Sequence, residues 1–552
     1  MAATLRLGTR GSRLALRQSR IVAERLRALG VQVELVTIVS DGDLRAPDAP
    51  IGEGVFVAAL ERALVGGEID LAVHSAKDVP LDEDPRTRIV AYPERADPRD
   101  ALVTRGHESS LDDLPAGARV GTDSPRRAGF VRALRPDLDV IALHGNVDTR
   151  LQRLDSGQAE ALVLAAAGLD RLGFSERAVA RLDPEVMPPA PGQGALAVQI
   201  RRDDDETAAL IAPLDDPGIR TAVVAERALL KAMGGGCRAP VGAVVKADGS
   251  ALALVAGAVT SDGRTRHVLR ATVGEDVARA IVEAAQELNR RVPIGARALL
   301  DTRPELDLEL RAAVEAMGFR HLHAPAIAIV AAPPDDLERA RAGLKTYDWI
   351  VLTSRRGVEA LLPAGTARPK GVRWAAVGTS TAESLQARGI EADCVPPEAT
   401  AGAIPDAMAR FGPLSGARVL LARADAANGE LPSRLREMGA EVDDVVAYRT
   451  VAGPAEGRTP LLAALADPQL EAVIFASGSA VKGLVESSPA RSLGNLKVIT
   501  IGPKTSAAAR EYGLTVTKES RTRDSEGLAA ALRLAVDEEV ERWVESQLRL
   551  PA

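Results

Sequence analysis

The sequence predicts an α/β protein built from several domains. Three observations predict it. The chain has 552 residues, too many for a single hydrophobic core. Short apolar runs alternate with amphipathic helical stretches, the βαβ rhythm of parallel sheets. In the second half, three strand–turn–helix segments recur in the same order, with Ser354 answering Ser477, Gly378 answering Gly502 and Gly402 answering Gly527. That near-constant offset points to two similar α/β lobes.

Taken in order, "LRLGT" reads as a short strand. "SRLALRQSRIVAERLRALG" reads as an amphipathic helix, with Ser12 as N-cap and Gly30 as its stop. "VQVELVTIV" is the next strand, and "IDLAVHSA", "DVIALHG" and "EALVLAA" are apolar runs that end at small or polar residues. In parallel sheets, ligands meet the loops beyond such strand ends. "TAVVAERALLKAMGGG" is a helix that stops at Gly234. Strands in "VGAVVKADGSALALVAGAV" and a helix in "GEDVARAIVEAAQELN" complete a smaller segment. A new start follows "RRVPIG": "ARALLDTRP" is a strand and turn, and "ELDLELRAAVEAMG" a helix. Beyond it, "IVLTSRRGVEALL" echoes "VIFASGSAVKGLV", and "WAAVGTSTAESLQARGI" echoes "VITIGPKTSAAAREYGL". A cleft between paired lobes is a natural ligand site.

Composition narrows the function. Hydrophobic residues are 46% and charged residues 26%, ordinary for a soluble globular protein. The net charge of −7 and the 2% of aromatic residues argue against a nucleic-acid binder that stacks bases. Two cysteines, Cys237 and Cys394, exclude a disulfide framework and a multi-cysteine metal site, so no metal is expected. The charged start is unlike a signal peptide, and no apolar run is long enough to span a bilayer. The expectation is a cytoplasmic protein with no membrane or nucleic-acid partner.

The chemistry-bearing residues fall in three groups. Cys237 follows three glycines at a helix end, without a CxxC partner or a paired histidine. A helix C-terminus raises a thiol pKa and Arg238 lowers it. The residue is either an inert small side chain or a thiol that forms one lasting bond. Arg10, Arg126, Arg127, Arg150 and Arg171 lie near strand ends or helix starts, and "GTDSPRRAG" places two guanidiniums after Ser124 at a helix N-terminus. Guanidinium forks and free backbone N–H groups suit carboxylates, so a polyanionic ligand stands against ordinary surface charge. Lys77 and Asp78 follow a buried strand in "AVHSAKDVP", as a local ion pair or as a carboxylate that steadies a cation and moves protons.

Together, "LGTRGSRLALRQS", "GVFVAALERAL", "DLAVHSAKDVP", "VGTDSPRRA", "LHGNVDTRLQRLDSG", "PAPGQGALAVQIR" and "AERALLKAMGGGCRAPVGA" resemble hydroxymethylbilane synthase, also called porphobilinogen deaminase, over about residues 4–290. The resemblance implies an enzyme that condenses four porphobilinogen units and releases ammonia from each. It implies a dipyrromethane cofactor on a thioether to Cys237. Asp78 matches the family's catalytic aspartate. Ser12, Lys77, Ser124, Arg126 and Arg127 match cofactor-binding positions, and Arg10, Arg150 and Arg171 match positions that hold substrate. Each pyrrole carries an acetate and a propionate, which gives the arginines a purpose. Two positions depart from the family: Glu53 stands for a lysine, and His144 for an arginine.

Residues 297–532 resemble uroporphyrinogen-III synthase, through "LLDTRP", "DWIVLTSRRGVEALL", "WAAVGTSTAESL", "VVAYRT" and "VITIGPKTSAAAREYG". That family cyclises the linear tetrapyrrole with inversion of its last ring and loss of water. Tyr448 matches a tyrosine suggested to help the hydroxyl leave. Ser354, Thr381, Ser477 and Thr505 match cleft positions where hydroxyls bind carboxylates, and each also fits an N-cap. The two resemblances imply two periplasmic-binding-protein-like lobes, 1–96 with 192–218 and 97–191, and a small α+β domain over 219–291. A linker at 292–297 leads to a synthase of two Rossmann- or flavodoxin-like lobes, 298–331 with 452–535 and 332–451, and a tail at 536–552. The expected protein is a monomeric bifunctional enzyme of porphyrin biosynthesis, a transferase fused to a lyase. The alternatives are a deaminase with an inactive C-terminal module and a polycarboxylate-binding protein.

Overall fold

The computed structural model describes residues 4–39, 55–236, 238–248, 251–295, 297–363, 366–398, 400–425, 427, 429–453, 455–488 and 493–549. Cys237 and Glu53 lie outside the described residues. The chain forms two compact units. One comprises Met1–Leu299, Asp307–His321 and Asp524–Ala552; the other comprises Leu300–Leu306 and Leu322–Arg523.

In the first unit, β1 (Thr4–Thr9), β2 (Gln32–Thr37), β3 (Leu71–Ser75), β4 (Thr87–Ala91) and β10 (Leu196–Arg201) form a sheet in the order β2-β1-β3-β10-β4. The apolar run of β3 is buried almost throughout, as suits a central strand covered on both faces. Between β4 and β10 the chain builds a second sheet from β5 (Asp100–Thr104), β6 (Arg119–Gly121), β7 (Asp139–Ile141), β8 (Ala161–Ala165) and β9 (Ala180–Arg181), in the order β7-β6-β8-β5-β9. The two sheets share one plan. Three parallel strands, β2-β1-β3 or β7-β6-β8, are followed by a strand of opposite direction, β10 or β5. The sheets are therefore mixed, where the βαβ rhythm predicts parallel ones. The departure has a cause: β5 is the strand by which the chain enters the second sheet and β10 the strand by which it returns to the first, and each runs opposite to the parallel strand beside it.

Capping follows the sequence. Ser12 accepts from Ala15 N to start the helix Arg13–Ala28, and Ser124 accepts from Arg127 N at the head of Pro125–Leu134. Asp216 caps the helix Pro217–Ala232, which ends at Gly234 with φ +70°. That helix packs with Val277–Arg291 and Ser525–Leu548 on an antiparallel sheet of β11 (Val241–Asp248), β12 (Ala251–Val259) and β13 (Arg266–Val273). The expected boundary between 535 and 536 falls inside the continuous helix Ser525–Leu548, where Ala535 and Val540 are both buried.

Further along the chain, β14 (Arg297–Asp301), β15 (Phe319–His323), β21 (Leu470–Phe475), β22 (Lys497–Thr500) and β23 (Val516–Glu519) form a sheet in the order β15-β14-β21-β22-β23. Another holds β16 (Ile327–Ala331), β17 (Trp349–Leu352), β18 (Arg373–Ala376), β19 (Arg418–Ala424) and β20 (Glu441–Ala452), in the order β16-β20-β19-β17-β18. The sequence echo is a structural one. Ser354 after β17 and Ser477 after β21 cap their helices with φ/ψ of −161/156° and −160/157°. Gly378 after β18 and Gly502 after β22 both head helices in extended backbone.

Candidate active site

In the first unit, a cleft of about 240 Å³ collects residues from the ends of β1, β3 and β8 and from the starts of two helices. Arg10 follows β1, Ser12 and Arg13 open the next helix, and Lys77 and Asp78 lie in the short turn after β3. Arg127, Arg150 and Arg171 line the cleft as well. Seven expected site residues thus line one cleft: Arg10, Ser12, Lys77, Asp78, Arg127, Arg150 and Arg171. Ser124 does not line it but caps the helix that carries Arg127, accepting from Arg127 N. Arg126 does not line it. Its side chain is 3% exposed and turned inward, with Nη1 donating to Asp100 Oδ2 and Pro188 O, both at 2.7 Å.

The cations differ in how far they are already satisfied. Arg127 donates to Asp100 Oδ1 at 3.0 Å, Val163 O at 3.1 Å and Gln193 Oε1 at 3.2 Å. Arg171 donates to Glu94 Oε1 at 3.0 Å and Gly194 O at 2.8 Å. Arg150 Nε, like Arg171 Nε, is buried and meets no acceptor among the described residues. Burial, reinforced by the Arg127 charge, pushes the Arg150 guanidinium down to about 10. Burial likewise pushes Lys77 down to about 8, against the pull of Asp78. Its ammonium donates to Gln193 Oε1 at 3.1 Å. Asp100 takes the reverse course: burial alone would raise its carboxyl, but Arg126 and Arg127 hold it well below the usual carboxylate range.

Gln193 and Asp100 were absent from the expected site, yet they organise it. Gln193 accepts from Lys77 and Arg127 and donates to Asp100 Oδ1 at 2.9 Å and Pro98 O at 2.8 Å. Its signal in the sequence is the tight "PGQGA" loop, in which Gly192 and Gly194 both have positive φ. A Cβ at Gly194 would lie 2.4 Å from Ala96 O. Arg13 and Asp148 also line the cleft and approach to 3.8 Å. His144, beside the cleft residue Gly145, places Nδ1 2.8 Å from Asp123 Oδ1.

In the second unit, Tyr448 on β20 donates to Ser354 Oγ at 3.2 Å. Ser354 Oγ also accepts from Gly357 N, and Ser477 Oγ accepts from Ala480 N, so both hydroxyls cap helices. Thr381 and Thr505 are buried within the helices Thr379–Gln386 and Pro503–Glu511. Among the described residues no hydrogen bond ties Ser477, Thr381 or Thr505 to the Tyr448–Ser354 pair. Among the described residues, too, no cluster of His, Cys, Asp and Glu is fit to hold a metal ion, and no helix is long and apolar enough to cross a membrane.

Known proteins are similar to successive parts of the chain. Residues 5–209 match the family model described as porphobilinogen deaminase, dipyromethane cofactor binding domain, and residues 220–289 match the porphobilinogen deaminase C-terminal domain. Residues 309–530 match the model for uroporphyrinogen-III synthase HemD. A porphobilinogen deaminase of Acidothermus cellulolyticus is 54% identical over 47% of this chain and 81% of its own length. One of Roseiflexus castenholzii is 47% identical over 54% of this chain and 99% of its own. A solved uroporphyrinogen III synthase of Thermus thermophilus aligns over 44% of this chain and all of its own, at 21% identity and a TM-score of 0.35.

Proposed function

We propose, because the chain belongs to the porphobilinogen deaminase family and carries a uroporphyrinogen-III synthase domain after it, that the first-unit cleft assembles the linear tetrapyrrole under the charge of Asp78, and that Tyr448 serves its cyclisation. The enzyme is bifunctional: four porphobilinogen units become hydroxymethylbilane with release of ammonia, and the bilane becomes uroporphyrinogen III.

The observation that carries the reading of the cleft is the buried, unpartnered Nε of Arg150 among Arg10, Arg127, Arg171 and Lys77. A desolvated donor without an acceptor is unfavourable unless a ligand supplies one. Carboxylates of pyrrole acetates and propionates supply it in the fork geometry a guanidinium prefers. The donor set therefore fits a dipyrromethane group. Ser12, Lys77, Ser124, Arg126 and Arg127 are the residues assigned to hold it, with Cys237 as the covalent anchor; in this geometry Arg126 acts by holding Asp100 beside Arg127. When bound, that group supplies the pyrrole carbon to which the first substrate ring is joined.

The chain's own residues do the rest. Arg10, Arg150 and Arg171 bind the incoming carboxylates and orient the ring. Asp78, exposed at the end of β3 and lining the cleft, presents a carboxylate to the pyrrole N–H groups. It steadies the positive charge that develops as ammonia leaves, and it takes up and returns the displaced proton. In the second unit, the Tyr448 hydroxyl is the proton donor assigned to the departing hydroxyl of the bilane, and Ser354 orients it. The protein works as a cytoplasmic monomer in this reading.

Two measurements test it. Intact mass under denaturing conditions shows an adduct of two pyrrole units in the wild type and none in Cys237→Ser; an unmodified chain in active enzyme overturns the covalent assignment. Porphobilinogen as sole substrate gives isomer III with the wild type. Exclusive isomer I would refute catalysis by the second unit.

A further inference from the structure

We infer that the C-terminal helix Ser525–Leu548 is a positioning element of the deaminase cleft: Trp543 covers the guanidinium of Arg227, and Arg227 holds the turn that carries Lys77 and Asp78.

Arg227 lies on the helix Pro217–Ala232 and is 3% exposed. Its Nη1 donates to Ala76 O at 2.9 Å and Val79 O at 2.8 Å, and its Nη2 to Pro80 O at 3.0 Å. These carbonyls flank Lys77 and Asp78 on both sides. One planar, rigid fork therefore braces the entry and exit of a turn that is also tied by Ala76 N donating to Ala195 O at 3.0 Å. Buried carbonyls need such a donor, and a charged donor makes the stronger bond.

The guanidinium is in turn covered from a distant part of the sequence. The Trp543 ring centroid lies 5.9 Å from Arg227 Cζ, within reach of a cation–π contact. Trp543 and Leu81, the residue after Pro80, pack as partly buried neighbours against one hydrophobic cluster. Val540 and Val544 of the same helix are 1% and 3% exposed within that cluster. Glu539 meets Lys231 at 2.9 Å, and Arg220 Nη1 donates to Gln547 O at 3.1 Å. The helix is thus docked along most of Pro217–Ala232, and all these residues belong to the unit that holds the cleft. A displaced Arg227 releases three carbonyls, and Asp78 moves with them. Small displacements of a charged group at the reacting centre lower rate more than binding.

The inference rests on the role of Asp78 proposed above, and the test separates the two. Full-length wild type, Trp543→Ala, Trp543→Phe, Trp543→Leu, Val540→Ala and Asp78→Asn are compared for porphobilinogen consumption and thermal unfolding. Trp543→Ala is expected to lower kcat about 3- to 10-fold with KM within about twofold. Trp543→Phe, which keeps an aromatic face, restores at least half of the loss. Val540→Ala removes buried methyl groups from the same docking surface without touching Arg227, so it lowers Tm and leaves kcat unchanged. If Trp543→Ala does not accumulate as folded protein, Trp543→Leu against Trp543→Phe makes the same comparison at similar bulk. Equal kcat in wild type and Trp543→Ala, equal kcat in the Leu and Phe variants, or a parallel loss of kcat in Val540→Ala overturns the inference. An Asp78→Asn variant as fast as wild type overturns the reading beneath it instead.

Discussion

Replacing Asp100 by asparagine tests the electrostatic frame of the cleft. Asp100 is fully buried and is shared by Arg126 at 2.7 Å, Arg127 at 2.8 Å and Gln193 at 2.9 Å. Both guanidiniums are themselves nearly inaccessible. Asp100→Asn keeps the shape but removes the carboxylate that, among the described residues, is bonded to both, leaving two buried cations on one neutral amide. Breaking a buried pair from one side costs about 3–5 kcal/mol. At about 2–4 °C per kcal/mol for a domain of 150–250 residues, Tm falls by about 6–20 °C. The measurement is scanning calorimetry at neutral pH, with Arg126→Met and the double variant beside it. The double variant is expected to lose less than the sum of the singles, because it removes one of the stranded charges. The pH dependence has a fixed sign. Asp100 is held below the usual carboxylate range, so its contribution is present above the unfolded value near about 4 and fades as pH falls further. The gap between wild type and Asp100→Asn must narrow in acid. A variant melting within about 2 °C of wild type at neutral pH, or a gap that widens in acid, refutes the argument.

Three further outcomes follow from the same geometry. Lys77, lowered to about 8 by burial, loses its charge above that pH, so KM for porphobilinogen rises there and Lys77→Arg extends the plateau; the unfolded chain keeps this proton up to the ordinary lysine value of 10.5, so the residue's stability term improves as pH rises through the same window. Tyr448→Phe removes the donor to Ser354 and slows cyclisation at least about 10-fold, read as a rise in isomer I without loss of porphobilinogen consumption. His144→Arg alone changes KM little, because Asp123 at 2.8 Å takes up the added charge, whereas His144→Arg combined with Asp123→Ser frees a guanidinium and lowers KM.

Local signals in the sequence were read correctly because they are local. Ser12 and Ser124 cap helices, Gly30 and Gly234 take positive φ at helix ends, and the echo of Ser354 and Ser477 survives as nearly equal backbone angles. Each depends on hydrogen bonds within a few residues. What escaped depends on partners far along the chain. The direction of β10 is set only when the chain returns from the second sheet. Ser525–Leu548 lacks a pronounced apolar stripe, so the burial of Val540 and Val544 shows only once the helix Pro217–Ala232, about 300 residues earlier, packs against them. Asp100 in "DPRDALV" looks like any acid before a strand until Arg126 and Arg127 are seen folded over it.

On the proposed function, the distinction among the arginines accounts for how an acidic chain builds a site for a polyanion. Arg126 pairs with Asp100 and Pro188 O and does not line the cleft; Arg127 and Arg171 each pair with a carboxylate and line it, Arg171 with its Nε unsatisfied; Arg150 lines it with a buried Nε that meets no acceptor among the described residues. The carboxylates behind the wall, Asp100 and Glu94, offset the repulsion among the guanidiniums and hold them in place before ligand arrives. The same acids lower the attraction for any single carboxylate, since much of each charge is already spent. A monocarboxylate therefore gains little, while a ligand with several carboxylates can meet Arg150 and the outward faces of Arg127 and Arg171 together and is favoured by their sum. On the proposed function, selectivity for a chain of pyrroles over a lone acid then comes from the spacing of partly satisfied cations rather than from their number.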